Sequence, residues 1–238
     1  MTSRQKFFAL IPAAGSGARL GATTPKQYLQ LAGQPMIRHC LRAFARVESI
    51  AHIYVLLHPD DFVWETLDLG AFAGRVTALR CGGETRADTV RAGLEAIAQS
   101  VAAEDWVLVH DAARPLIESE AIRALIEELA SDPVGGLLAL PVADTVKQAA
   151  EGGVAQTIPR ENLWLAQTPQ MFRHAMLTDA LARAAQSSIT DEAQALEAMG
   201  LKPRLVRGDA RNLKVTYPED LALAALLLAG RAGDEEAP

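Results

Sequence analysis

Cysteine is scarce in this chain. Its 238 residues include two, Cys40 and Cys81, far apart and in no CxxC pair. That spacing excludes a disulfide framework and offers no zinc motif. The plain reading is two buried apolar thiols. Five histidines occur, none at metal-ligand spacing. Positive charge is also short: 23 Lys and Arg stand against 29 Asp and Glu, a net charge of −6. An acidic chain is a poor sequence-independent binder of DNA or RNA, which needs a surplus of basic residues. Any phosphate must therefore be gripped by a local cluster of cations. Long apolar runs are missing too. The stretches 7–14 and 221–229 fall well short of the ~20 residues that span a bilayer. The segment after Met1 is polar, unlike a signal peptide. The expectation is a cytoplasmic protein with neither a membrane nor a nucleic-acid partner.

Apolar residues are plentiful, at 50% of the chain, enough for a sizeable core in one domain. They alternate between two periods. Runs at 7–11, 53–57, 76–79, 106–109 and 136–140 read as buried strands. Between them, Ile37, Cys40, Leu41 and Phe44, then Val90, Leu94, Ile97 and Val101, then Ile122, Leu125, Ile126 and Leu129, recur at helical spacing. This order predicts an α/β fold, a doubly wound and mainly parallel sheet. The rhythm breaks at 141–163. There Glu151-Gly152-Gly153 between short β-prone runs predicts a hairpin turn. An arm that cannot bury its own faces packs on a partner, so a homodimer is expected; a surface loop is the plainer alternative. Helices are expected at 173–185 and 191–199, short edge strands at 205–206 and 213–215, and a last helix at 218–229 behind a capping box of Thr216 and Glu219. Residues 1–230 form one domain in this reading, and 231–238 a disordered tail.

The chemistry gathers first at Pro12-Ala13-Ala14-Gly15-Ser16-Gly17-Ala18-Arg19, with Lys26 close behind. The run follows the first strand, at the sheet end where open α/β folds bind ligands. Gly15 and Gly17 allow the backbone close to phosphate oxygens, with N–H groups aimed at them. Arg19 and Lys26 add positive charge. The glycine spacing is neither the dinucleotide fingerprint nor a Walker loop. The loop reads as a triphosphate clamp, with a plain strand-to-helix turn as the alternative.

These residues, and others in order along nearly the whole chain, resemble the 2-C-methyl-D-erythritol 4-phosphate cytidylyltransferase family. The run from Pro12 to Ile37 matches its opening. Gly82-Gly83-Glu84-Thr85-Arg86 with Thr89, then His110-Asp111-Ala112-Ala113-Arg114-Pro115, match its next motifs. Asp144-Thr145-Val146-Lys147, the stretch from Arg160 to Phe172 with Gln167-Thr168-Pro169-Gln170, Thr190-Asp191-Glu192-Ala193, Gly208-Asp209 and Asn212 to Asp220 complete it. Thr89 stands where the family often has Ser, which keeps the hydroxyl. No fused synthase domain is expected after the last helix.

The resemblance implies the roles. CTP lies across the loop of Pro12, Ala13, Ala14, Gly15 and Gly17. Its base is read by Gly82 and Thr89, and its ribose and α-phosphate are held by Asp111 and Ala112. Arg19, Lys26 and Lys214 act as catalytic cations, with Mg²⁺ bridging phosphates and Asp111 as its candidate ligand. The acceptor, 2-C-methyl-D-erythritol 4-phosphate, is held by Arg114, Thr145, Arg160, Thr168, Thr190, Asp209 and Lys214. Thr145 and Arg160 reach it from the arm of the second subunit. Thr190 reads equally well as a helix cap, and Arg86 as a support for the Gly82-Gly83 turn. His110 is expected to pack or hydrogen-bond behind Asp111. Ribitol 5-phosphate is the nearest alternative acceptor. A non-catalytic nucleotide-binding regulator has no reason to keep Arg19, Lys26, Asp111 and Lys214 together. An NAD-dependent oxidoreductase conflicts with the glycine spacing.

Overall fold

The computed structural model describes residues 5–15, 24–184 and 189–235. In chain order the elements are β1 (Phe7–Pro12), β2 (Gln30–Leu31), β3 (Gln34–Pro35), α1 (Met36–Ala45), β4 (Ile50–Leu56), β5 (Val76–Leu79), α2 (Arg86–Ile97), β6 (Trp106–Val109) and α3 (Ser119–Leu129). There follow β7 (Gly135–Pro141), β8 (Val146–Ala150), β9 (Gly153–Ile158), β10 (Trp164–Arg173), α4 (His174–Arg183), α5 (Glu192–Ala198), β11 (Arg204–Arg207) and α6 (Pro218–Glu235). A seven-stranded sheet runs β11-β7-β10-β6-β1-β4-β5. All its neighbours are parallel except β10, which pairs antiparallel with both β6 and β7. The expected mainly parallel sheet is what forms.

The period of two explains the layers. Successive strand residues point to opposite faces. Ala9 and Ile11 of β1 join Ile37, Leu41 and Phe44 of α1 and Ile122 and Leu125 of α3 in one core. Phe8 and Leu10 join Val90 and Leu94 of α2, Leu177 of α4 and Leu196 of α5 on the other face. Burying one such Leu or Ile contributes about 1.5–3 kcal/mol, so the helices are held by these stripes rather than by propensity. Cys40 is buried and Cys81 partly so, and both are unpaired. No helix among the described residues is long and apolar enough to cross a membrane.

The hairpin of β8 and β9 is a separate two-stranded sheet. Its turn places Glu151 at φ 51° and Gly152 at φ 81°, the left-handed pair that matches the twist of a two-residue hairpin. Its side chains are almost all exposed, Val154 to 66%.

Several local expectations are corrected. Residues 213–215 form no strand; Val215 N–H donates to the Ala113 carbonyl at 2.8 Å and its side chain is buried. The capping box of Thr216 and Glu219 is replaced by Asp220, whose carboxylate accepts from the N–H groups of Thr216 and Tyr217, each at 2.8 Å. Helix α6 runs to Glu235, past the expected end at 229 and into the expected disordered tail. Gly230 and Gly233 do not end it, because each interior glycine costs only about 1 kcal/mol in an Ala- and Leu-rich run. Residues 236–238 lie outside the described residues.

Candidate functional site

The six strands other than β10 run the same way and end on one edge of the sheet, and a cavity of about 480 Å³ opens above β1, β4 and β6. Its floor is the exit of β1, where Pro12, Ala13, Ala14 and Gly15 line it. The backbone there is fixed from two sides. Ala13 N–H donates to the Leu56 carbonyl at 2.8 Å, and the Gln27 side chain donates to the Ala13 carbonyl at 2.7 Å. Lys26 and Lys214 line the same cavity, as do Asp111 and Ala112 from the end of β6.

The far wall is the entry to α2. Thr85 caps the helix, accepting from Asp88 N–H at 3.1 Å. Thr89 lines the cavity, but its hydroxyl is already engaged: it donates to the Thr85 carbonyl at 3.0 Å and accepts from Gly83 N–H at 3.1 Å. Gly82 does not line the cavity. A Cβ there would meet Ala14 Cβ at 2.4 Å and the Leu57 carbonyl oxygen at 2.7 Å. Its N–H donates to that carbonyl at 2.8 Å. Glycine is required at 82 for this close approach, and Gly83 is the residue that faces the cavity.

Asp111 is the electrostatic centre. Lys214 Nζ sits 2.7 Å from one carboxylate oxygen and Arg86 Nε 2.7 Å from the other. Arg86 also grips Glu192 with both terminal nitrogens, at 2.7 and 3.0 Å. Glu192 is 1% exposed. Burial opposes ionisation of Asp111, but the charges of Arg86 and Lys214 outweigh it and hold the carboxyl well below the usual range. Burial likewise opposes the charge on Arg86, and Glu192 and Asp111 more than offset it. Buried charges persist when paired and hydrogen-bonded in this way.

Behind Asp111 lies a second layer. His110 is fully buried, with Nε2 3.1 Å from the Arg114 carbonyl and Nδ1 3.0 Å from the Thr168 hydroxyl. A carbonyl only accepts, so Nε2 carries the proton and Nδ1 accepts from Thr168. Burial pushes the imidazole down to about 4. The Thr168 oxygen in turn accepts from Asp111 N–H at 3.1 Å. The hydroxyl of Thr168, an expected acceptor residue, is buried between His110 and the Asp111 N–H. The register shift in β10 between Ala166 and Gln170 takes Thr168 out of the regular ladder, as irregularities beside sites do.

Of the other expected acceptor residues, Lys214 lines this cavity and Arg114, Thr145, Arg160, Thr190 and Asp209 do not. Arg114 is spent on carbonyls, donating to Asn212 at 2.7 Å and Ala166 at 3.3 Å, and stands 4.0 Å from Asp111. It buttresses the segment that carries Lys214. Asp209 pairs with Arg211 at 2.6 Å. Thr190 donates from both N–H and hydroxyl to Gln194 Oε1, while Asp191 is the N-cap of α5. Thr145 and Arg160 are exposed on the flanks of the hairpin, Arg160 donating to the Ala143 carbonyl. Arg19 and Gly17 lie outside the described residues. The sequence reading assigned no role to Gln27 or Glu192. No local pattern marks either one, because the partners are distant in sequence: Ala13 lies 14 positions from Gln27 and Arg86 lies 106 from Glu192.

Among the described residues no three His, Cys, Asp or Glu side chains cluster as a metal cage. Asp111, a single carboxylate on the cavity wall, fits the alternative mode, in which magnesium takes one or two carboxylates and draws its other oxygens from phosphate and water.

The chain matches the family model described as 2-C-methyl-D-erythritol 4-phosphate cytidylyltransferase over residues 7–230. A protein of that name from Dechloromonas aromatica (strain RCB) is 55% identical over 227 residues, covering 95% of this chain and 99% of its own. A crystal structure of a 4-diphosphocytidyl-2C-methyl-D-erythritol synthase superposes with a TM-score of 0.84 at 41% identity, covering 95% of this chain and 100% of that one. A 2-C-methyl-D-erythritol 4-phosphate cytidylyltransferase structure from Francisella tularensis gives 0.80 at 34% identity, covering 93% and 99%. This chain belongs to the 2-C-methyl-D-erythritol 4-phosphate cytidylyltransferase family.

Proposed function

We propose that the chain transfers the cytidylyl group of CTP to 2-C-methyl-D-erythritol 4-phosphate in isoprenoid precursor biosynthesis. An acceptor phosphate oxygen attacks the α-phosphorus, the new P–O bond forms, and the bond to the β-phosphate breaks, its electron pair leaving with pyrophosphate. No protein nucleophile is needed, because the acceptor is already an anion. The enzyme's task is positioning and neutralisation of charge as the two phosphates meet.

The observation that carries this reading is the convergence of Lys26, Lys214 and Asp111 on one cavity floored by the β1 exit. Lys214 is held by Asp111 at 2.7 Å. An arriving triphosphate competes for that ammonium, while Arg86, locked to Glu192, stays with the carboxylate. Lys26, Lys214 and Arg19 face the phosphates in this scheme. Asp111 would hold a magnesium ion, which would supply further charge neutralisation when bound. Gly83, the Ala14 backbone and the Thr85–Thr89 wall surround the base.

The acceptor is held on the side of Lys214. The exposed hairpin supports a homodimer in which Thr145 and Arg160 of one subunit complete the other's site; Arg160 suits a bidentate grip on phosphate. Unpaired cysteines and the acidic balance support a cytoplasmic enzyme without nucleic-acid partners. The test is pyrophosphate release from CTP and Mg²⁺ with 2-C-methyl-D-erythritol 4-phosphate and ribitol 5-phosphate in turn. Release with the first is expected. Turnover with ribitol 5-phosphate alone rejects the acceptor assignment.

A further inference from the structure

Lys26 opens a single 3₁₀ turn, Lys26–Tyr28. So short a helix has little stability of its own, yet the two residues after Lys26 are among the most buried polar-bearing side chains of the molecule. Gln27 is 2% and Tyr28 5% exposed. Each makes one strong bond to a different neighbour. Gln27 Nε2 donates to the Ala13 carbonyl at 2.7 Å, on the cavity floor. Tyr28 hydroxyl donates to Asp61 Oδ2 at 2.7 Å, on the connection between β4 and β5.

The Asp61 end is itself anchored. Its other oxygen accepts from the N–H groups of Val63 and Trp64 at 3.0 and 3.2 Å, and its carbonyl accepts from Arg80 at 2.6 Å. Burial and the bond to Asp61 push the Tyr28 hydroxyl far up, so it remains a donor at any working pH. The turn itself closes with Tyr28 N–H on the Pro25 carbonyl at 2.9 Å and Leu29 N–H on the Lys26 carbonyl at 3.1 Å.

We propose that Tyr28, Asp61 and Gln27 form a latch that positions Lys26 over the cavity floor: Tyr28 fixes the turn to the β4–β5 connection and Gln27 fixes it to the β1 exit. They are positioning residues, acting through Lys26. The inference rests on the role given to Lys26 above. A point charge stabilises a transition state only from the right place, and displacements on the order of 1 Å cost up to about a hundredfold in rate. The fold therefore spends two buried hydrogen bonds on a turn of three residues.

A double-mutant cycle tests it, read by steady-state pyrophosphate release. Tyr28→Phe keeps the ring in the core and removes the hydroxyl. It is expected to lower kcat about tenfold with KM for CTP changed less than about twofold, the pattern of a lost transition-state contact. In a Lys26→Ala background the same substitution is expected to change kcat by less than about twofold, because the group it aims is gone. Gln27→Met, near-isosteric and without the donor, carries the same expectation and serves if Tyr28→Phe lowers the thermal midpoint markedly. Equal losses in both backgrounds, or a rise in KM with kcat intact, overturn the latch. Unchanged turnover in Lys26→Ala alone instead overturns the role of Lys26, so the two failures are distinguishable.

Discussion

The wall around Asp111 and the hairpin of β8 and β9 are built on opposite terms. At the wall, Asp111, Glu192, His110 and Thr168 are all buried, and each polar group has its partner within the chain. The hairpin carries Thr145 and Arg160 on flanks that are exposed, and buries almost nothing. The first region is finished by folding. The second is a two-stranded sheet, which in isolation is marginal in water. On the proposed reading, the donor side of the reaction is preorganised by the core, and the acceptor side is completed by the hairpin of a second subunit.

The largest effect that can break this contrast is at the wall. Removing one partner of a buried ion pair leaves an uncompensated charge and costs about 3–5 kcal/mol. Glu192→Ala is expected to destabilise the protein by about that much in denaturant unfolding; a change below about 1 kcal/mol would mean that Arg86 needs no buried anchor. The pH dependence comes next. His110 is held at about 4 in the folded chain against 6.5 as its ordinary value. Between those limits the unfolded chain binds the extra proton, so stability is full above pH ~6.5 and falls as pH drops toward 4, by about 3 kcal/mol. The lowered Asp111 carboxyl adds a further loss at still lower pH. A thermal midpoint flat from pH 7 to 4.5 would contradict the buried neutral imidazole.

Lys26→Ala is expected to lower turnover by about a hundredfold, equivalent to about 2.7 kcal/mol, with folding intact; pyrophosphate release reads it directly. On the hairpin, Arg160→Ala is expected to raise the acceptor KM about tenfold while KM for CTP holds. Equal effects on both substrates would erase the division between the two regions. The smallest effect on fold stability is expected at Val154, 66% exposed. Val154→Asp should shift unfolding by less than about 0.5 kcal/mol yet weaken self-association in sedimentation. A stability loss with unchanged association would show that the hairpin packs on its own chain.

Much of this was legible in the sequence, for reasons of range. Ile37, Cys40, Leu41 and Phe44 repeat at helical spacing, and all four are buried in α1. Glu151 and Gly152 supply the left-handed turn at the hairpin tip. The loop from Pro12 to Gly15 and the isolated Lys26, Asp111 and Lys214 meet in one cavity. What escaped depends on distant partners. Glu192 is tied to Arg86, 106 positions away, and nothing local marks that pair. Thr168 carries a hydroxyl that could serve a substrate, and its inward use follows from His110, 58 positions back. Residues 213–215 have strand-like composition, but no neighbouring edge is offered to them, so they stay irregular. Thr190 and Asp191 both suit a cap, and the choice of Asp191 is made by Gln194 folding back on Thr190.

One consequence of the antiparallel β10 concerns change in length. Strand β7 leaves the sheet at Pro141 and β10 enters it at Trp164, directly opposite, as the pairing of those two residues shows. The whole excursion between them hangs from a closed root. Residues added or removed at the tip around Gly152 would alter its reach without shifting the register that seats Thr168 beneath Asp111. The molecule thus keeps a spot where insertions are tolerated beside chemistry that allows none.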